Sequence, residues 1–247
     1  MNKYDLSLNP PLMNAAGSLG FAPDPRAPVD LSLLGIFVTN PVSLSPRTPA
    51  QERLCLSYPG GFLLHTGYPN PGVRAVLRRC AARWERSECP ILVHILAQHG
   101  EEVFKIVQQL DRLENLAGVE LGMPPEAAPE LVTELVSAGL GERPLIARLP
   151  LERAVDLAAV AIKAGAAAVS LGAPRGALLD SSGKIIQGRM YGPSLFPLAL
   201  ETVQRVARLG LPVIGAGGVY RPQQVEAMLR AGAIAVQLDA MLWRGGF

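Results

Sequence analysis

Short apolar runs recur along the chain at fairly regular intervals: PLMNAA (11–16), GIFVTN (35–40), ILVHIL (91–96), GVEL (118–121), PLIARL (144–149), AAVSLG (167–172), PVIGAG (212–217) and AVQLDA (235–240). Most are rich in β-branched or bulky residues. Their near-continuous apolar character suits parallel strands buried on both faces. Helical spacing, with apolar residues three or four apart, lies between most of them. Asn70 followed by Pro71 predicts a helix start, with the helix running to about Arg86. Further helices are predicted over 100–113, 126–138, 152–164, 194–209 and 222–230. Gly139, Gly165, Gly210 and Gly232 fall just past helix ends, where a left-handed cap is expected.

Eight such units predict a (β/α)8 TIM barrel, a single domain over 1–247, with an open doubly wound sheet as the alternative. The segment 41–69 makes a long excursion after the second strand. Little chain follows the eighth strand, so the eighth helix is expected to be short or missing. The apolar flank left beside the first strand would then be covered by an oligomeric copy or a partner subunit.

Composition narrows the choice of function. The chain has 247 residues, 49% of them hydrophobic, and a net charge of +2. That supports a sizeable core and gives no case for a nucleic-acid or membrane surface. The N-terminus lacks the apolar stretch of a signal peptide, and no segment has the length of a membrane span, so a cytoplasmic location is expected. Three scattered cysteines form no CxxC pair, which makes zinc or iron–sulfur ligation unexpected and a reducing setting the default.

Chemistry in such barrels gathers where the strands end. Gly217-Gly218 before a helix supplies backbone N–H groups suited to an anion, or simply makes a tight turn. Arg148 is a lone cation in an apolar strand, facing either an anionic ligand or an internal carboxylate such as Glu120 or Asp239. His94 lies within strand three and reads as a hydrogen-bonded core residue. His65 and His99 fall in active-end loops, where they can titrate near neutrality. Cys55 reads as an idle or packed thiol, and Cys89 lies at the opposite end of the barrel. No histidine has a metal-ligand neighbour at suitable spacing, so no metal is expected.

NPPLMNAAGSLGF (9–21), VTNPVSLSPRTPA (38–50), TGYPNPG (66–72), PLIARLP (144–150), YGPSLFPLALETVQRVA (191–207) and PVIGAGGVYRPQQVEAMLRAGAIAVQL (212–238) together resemble the dihydroorotate dehydrogenase family over nearly the whole chain. The resemblance implies an FMN-dependent oxidoreductase of pyrimidine biosynthesis acting on a small-molecule substrate. It implies flavin contacts from Ala16, Gly17, Thr39, Asn40, Arg148, Ser170, Gly217, Gly218 and the position of Asp239, and a substrate contact from Asn70. The departures fall on the chemistry. The family's lysines are replaced by Asn40 and Arg148, and a substrate asparagine by Leu64. The strand-four segment of Asn-x-Ser-Cys-Pro-Asn type becomes GMPPEAAP, with no Ser, Cys or Asn between Gly118 and Glu130. The asparagine at the end of strand six is Ser170, and the Gly-Thr of the phosphate cup is Asp239-Ala240. Oxidation of dihydroorotate needs a base for one proton while the flavin takes hydride.

Three functions stay open: an altered flavoprotein using His65, Tyr68 or His99 as replacement base; a non-catalytic pseudoenzyme acting as a partner or regulatory subunit; and a different enzyme using the anion site for a phosphorylated metabolite. A carboxylate ~5 Å from a phosphate, at an effective dielectric of ~20, repels it by roughly 3 kcal/mol per unit charge, so Asp239 bears directly on which of them holds.

Overall fold

The computed structural model describes residues 8–244, apart from Pro28, Glu52 and Asn115; the start of the N-terminal segment read for a signal peptide and the last three residues lie outside this range. Strand β1 (Leu12–Asn14) leads through a 3-10 turn (Leu31–Leu33) to β2 (Phe37–Val38). A hairpin follows, β3 (Leu54–Tyr58) and β4 (Gly61–His65). The chain then alternates: α1 (Val73–Glu85), β5 (Ile91–Leu96), α2 (Gly100–Leu110), β6 (Leu116–Gly122), α3 (Pro129–Ala138), β7 (Leu145–Pro150), α4 (Ala154–Lys163) and β8 (Ala168–Gly172). A second hairpin, β9 (Arg175–Leu179) and β10 (Ile185–Tyr191), precedes α5 (Phe196–Arg208), β11 (Val213–Ala216), α6 (Pro222–Arg230) and β12 (Ala235–Leu238).

Eight strands form one parallel sheet in the order β1-β12-β11-β8-β7-β6-β5-β2. The ends meet where Met13 bridges Ile36 and the Gly35 N–H donates to Leu12 O at 2.8 Å. Asn14 completes the seam with its side chain, donating to Val38 O at 2.7 Å and accepting from Val38 N at 2.8 Å. The expected (β/α)8 barrel is therefore present. Where an eighth helix would begin, the described chain makes a 3-10 turn, Ala240–Arg244, that buries Met241 and Leu242.

Local detail departs from the sequence expectation in several places. The excursion is not irregular: β3 and β4 pair antiparallel, and β10 and β9 extend them into a four-stranded sheet, β3-β4-β10-β9. Helix α1 begins at Val73 behind Gly72, not behind Asn70, whose Oδ1 accepts from Gly72 N in a local turn. Helix α3 starts three residues later than expected, at Pro129. Gly165, Gly210 and Gly232 are left-handed as expected, whereas Gly139 is not, at φ −90°. Gly139 answers to packing instead, because a Cβ there would stand 2.5 Å from Leu145 Cδ1.

The interior is layered. Met13, Val38, Leu92, Ile146, Ala168, Ile214 and Ala235 form a buried apolar floor. Two residues further along, strands β5, β6, β7, β8 and β12 present His94, Glu120, Arg148, Ser170 and Gln237. The two-residue pleat keeps each of these pointing inward, one layer nearer the strand ends. A second, larger cluster fills the space between sheet and helices.

Candidate functional site

Glu120 is fully buried and its carboxylate is the centre of the polar layer. Oε1 accepts from Ser170 Oγ at 2.6 Å and from Gln237 Nε2 at 2.7 Å. Oε2 faces His94 Nδ1 at 2.6 Å, with Arg148 Nη1 at 3.7 Å. Burial alone would raise the Glu120 pKa. The His94 hydrogen bond and the Arg148 guanidinium reverse this and hold it at about 2. Burial pushes His94 below its usual range, against the pull of Glu120. At neutral pH the pair is thus a neutral imidazole donating its Nδ1–H to a carboxylate, and Arg148 carries the balancing charge. The internal partner foreseen for Arg148 is Glu120, not Asp239.

Asp239 is 7% exposed, and Oδ1 accepts from the neighbouring Ala240 N–H at 2.5 Å. Burial raises its pKa to about 6, although Ala240 N–H and Arg148 both oppose the shift. Gly217 and Gly218 stand nearby with φ of +111° and +69°. Asp239, Gly217, Arg148, Ala15 and Gly172 border one residual void of about 10 Å³, roughly the space of a single water. A Cβ on Gly218 would abut Phe196 N at the start of α5 and the Gly192 carbonyl. The glycine therefore serves the close approach of α5, whatever lies in front of it.

The open space lies to the other side of Arg148. A pocket of about 330 Å³ at the barrel mouth is bounded by the ends of β5, β6, β7 and β8 and roofed by the four-stranded sheet. Arg47, Arg148, Arg175 and Arg189 border it, and no carboxylate does. Arg189 lies over the Tyr68 ring at 3.6 Å and donates to Thr66 Oγ1 and Tyr191 Oη. Tyr68 is itself left-handed, at φ +53°. His65 borders the pocket, its Nδ1 2.8 Å from Gln187 O. A larger cavity of about 1130 Å³ opens at the opposite end, around Pro10, Cys89, Pro90 and Leu116. The strands begin there, and barrel chemistry belongs to the other end.

The fold brings only some of the expected site residues together. His65 and Tyr68 reach the mouth pocket; His99 is exposed beside α2 and does not border it. Ala16 packs against the barrel floor and Gly17 is exposed at φ +92°. Thr39 Oγ1 is committed to His94 N and Asn40 O. Asn40 Oδ1 accepts from Gly20 N. Ser170 is held by Glu120. Asn70 accepts from Ser43 N, Ser43 Oγ and Gly72 N and donates to Tyr68 O, so it shapes the loop. Among the described residues no three His, Cys, Asp or Glu side chains gather as a metal site, and no helix is long and apolar enough to cross a membrane. Sequence reasoning named Glu120 only as one of two possible partners for Arg148 and missed Gln237. The available signal was one polar residue per apolar strand; in the sheet register His94 pairs with Glu120 and Arg148 with Ser170.

A family model for dihydroorotate dehydrogenase matches residues 2–129. The catalytic subunit of dihydroorotate dehydrogenase B (NAD(+)) from Pelobacter propionicus is 30% identical over 261 residues, covering 96% of this chain and 85% of that protein. The proteins of the same name from Geotalea daltonii and Geotalea uraniireducens are 30% and 28% identical, each over 96% of this chain and 87% of theirs. The fold and the polar, arginine-bearing layer at its strand ends define an α/β barrel with its candidate site at the mouth. The chain belongs to the dihydroorotate dehydrogenase family.

Proposed function

We propose that this chain is a dihydroorotate dehydrogenase-like barrel in which tight flavin binding, and with it dihydroorotate oxidation, is reduced or lost, and which binds a small anionic ligand at its mouth. Asp239 carries this proposal. Its carboxylate takes the Ala240 N–H that a phosphate would need and places negative charge at the void that Gly217 borders. As arranged, these residues do not fit the phosphate of FMN: the space is about 10 Å³, and the repulsion is roughly 3 kcal/mol, over a hundredfold in affinity. Thr39, Asn40 and Ser170 are likewise spent on internal bonds. The mouth pocket supports the anion reading, with four arginines, no acid, and a volume within the range of small-molecule sites. In this role the protein acts as a binding or regulatory homologue of the catalytic subunits it resembles, alone or beside a partner.

A second function, an altered FMN oxidoreductase, is favoured by one observation: the left-handed Gly217 and the cationic Arg148 border the same void. Visible absorbance of the purified protein, before and after adding FMN and desalting, separates the two. The proposal predicts a colourless protein that retains no FMN, and flavin retention in the Asp239→Gly/Ala240→Thr variant, which removes the carboxylate and frees the N–H. Wild-type protein that purifies yellow, or stays so after desalting, overturns it.

A further inference from the structure

The floor of the mouth pocket holds an arrangement that the flavin reading leaves unused. His94 borders the pocket together with Gly122 and Arg148. Its Nδ1 is fixed on the Glu120 carboxylate at 2.6 Å, so the neutral ring carries its proton there and leaves a lone pair on Nε2. Nε2 points toward Gly122: a Cβ at that position would stand 3.0 Å from it. Among the described residues no hydrogen bond reaches Nε2, and the His94 side chain forms part of the pocket wall beside Gly122. The bare Gly122 backbone leaves that approach open. Arg148 stands beside the pair, 3.7 Å from Glu120, with its other flank on the pocket. A histidine base oriented by a carboxylate, with a fixed cation next to it, is the equipment of proton abstraction at carbon.

The geometry points to His94, positioned by Glu120, as a catalytic base that exchanges a proton of a small carboxylate carrying an acidified C–H next to a carbonyl. The C–H bond breaks and its electron pair stays on the substrate as an enolate facing Arg148. The proton forms the Nε2–H bond, and Glu120 neutralises the imidazolium. Return of a proton from Nε2 restores the substrate, so the cycle needs neither oxidant nor cofactor. His94 thereby supplies what the segment Gly122–Pro125, without Ser, Cys or Asn, does not. The charged groups facing His94 are Glu120, Arg148 and Arg189. This inference rests on the mouth pocket being an anion site.

Dihydroorotate in D2O is the probe, followed by proton NMR, with orotate binding measured separately by calorimetry. Wild-type protein should bind orotate and speed exchange of the methylene protons next to the ring carbonyl. His94→Gln should retain orotate binding and lose at least ~100-fold of the exchange rate, the contribution expected of a general base. Gly122→Ala keeps the dyad intact and crowds Nε2, so it should lose exchange even if His94→Gln fails to fold. The wild-type rate should fall in acid as His94 protonates, below the usual histidine range. Orotate binding without exchange, or exchange that survives in both variants, overturns the role of His94. Failure to bind orotate overturns the anion pocket and the base together.

Discussion

Asp239→Asn should stabilise the protein at neutral and alkaline pH and lose that advantage in acid. The wild-type carboxyl is 7% exposed with one hydrogen bond, from Ala240 N, and no ion pair among the described residues. Burial raises its pKa from 3.8 to about 6, a shift of about two units, or ~3 kcal/mol between the protonation states. Because the folded pKa lies above the unfolded one, the stability is fully present below about pH 4 and is lost as pH rises through about 6. At about pH 8 the wild type therefore carries the whole penalty. Asparagine keeps the acceptor for Ala240 N, and leaving its new N–H2 group short of a partner costs about 1–2 kcal/mol. The net gain should be roughly 1–2 kcal/mol, read as a shift in the urea midpoint without a change in slope. His94 works in the opposite direction: burial depresses its pKa, so its stability is present above the unfolded value and lost as pH falls. That contribution is common to both proteins and cancels in their difference. A variant no more stable than wild type at about pH 8, or an advantage that persists unchanged at about pH 4, would refute an ionised, desolvated Asp239.

Arg148→Met removes the cation nearest a fully buried Glu120 and should cost about 3–5 kcal/mol by urea denaturation, with part recovered in the Arg148→Met/Glu120→Gln double variant. Gly218→Ala should destabilise more than Gly17→Ala: both positions are left-handed, but only at 218 does the new Cβ run into Phe196 N, whereas at 17 its nearest neighbour is Pro41 Cδ at 3.9 Å. Thermal melts of the two variants should separate by more than ~1 kcal/mol. Arg175→Ala and Arg189→Ala should each weaken orotate binding about tenfold, ~1.4 kcal/mol, without changing thermal stability at Arg175, which is exposed.

The barrel strands were legible because each is buried on both faces, and continuous apolar runs carry that information locally. The four-stranded sheet was not. Its pairing of Arg189–Tyr191 with Phe62–Leu64 joins segments more than a hundred residues apart, and β9 alternates exposed and half-buried residues in a stretch that reads as turn and loop. Asn70 shows a different failure. Asn-Pro is a fair helix-start signal, but the side chain found three donors in the loop, from Ser43 and Gly72, and the helix began three residues on. His94 and Arg148 were visible as lone polar residues in apolar strands. Their joint partner, Glu120, lies between them in the sheet and 26 and 28 residues away along the chain, respectively, and only closure of the barrel places Ser170 and Gln237 on the same carboxylate.

The persistence of Gly217-Gly218 beside a carboxylate follows from two separable demands on one turn. A phosphate cup needs exposed N–H groups and glycines that let an anion come close. The fold needs a left-handed turn after β11 and room for the start of α5 against residue 218. The second demand survives loss of the first, so the glycines would be retained in a barrel that bound no phosphate at all. Position 239 makes no such demand on residue type: it follows β12, and its backbone carbonyl accepts from Leu242 N in the 3-10 turn, which any residue can supply. A carboxylate there satisfies Ala240 N–H from within and stands near Arg148. Change is then cheapest at residue 239 and dearest at residue 218, which is why a glycine doublet by itself is weak evidence for a bound flavin, and why the residue facing it across the turn is the informative one.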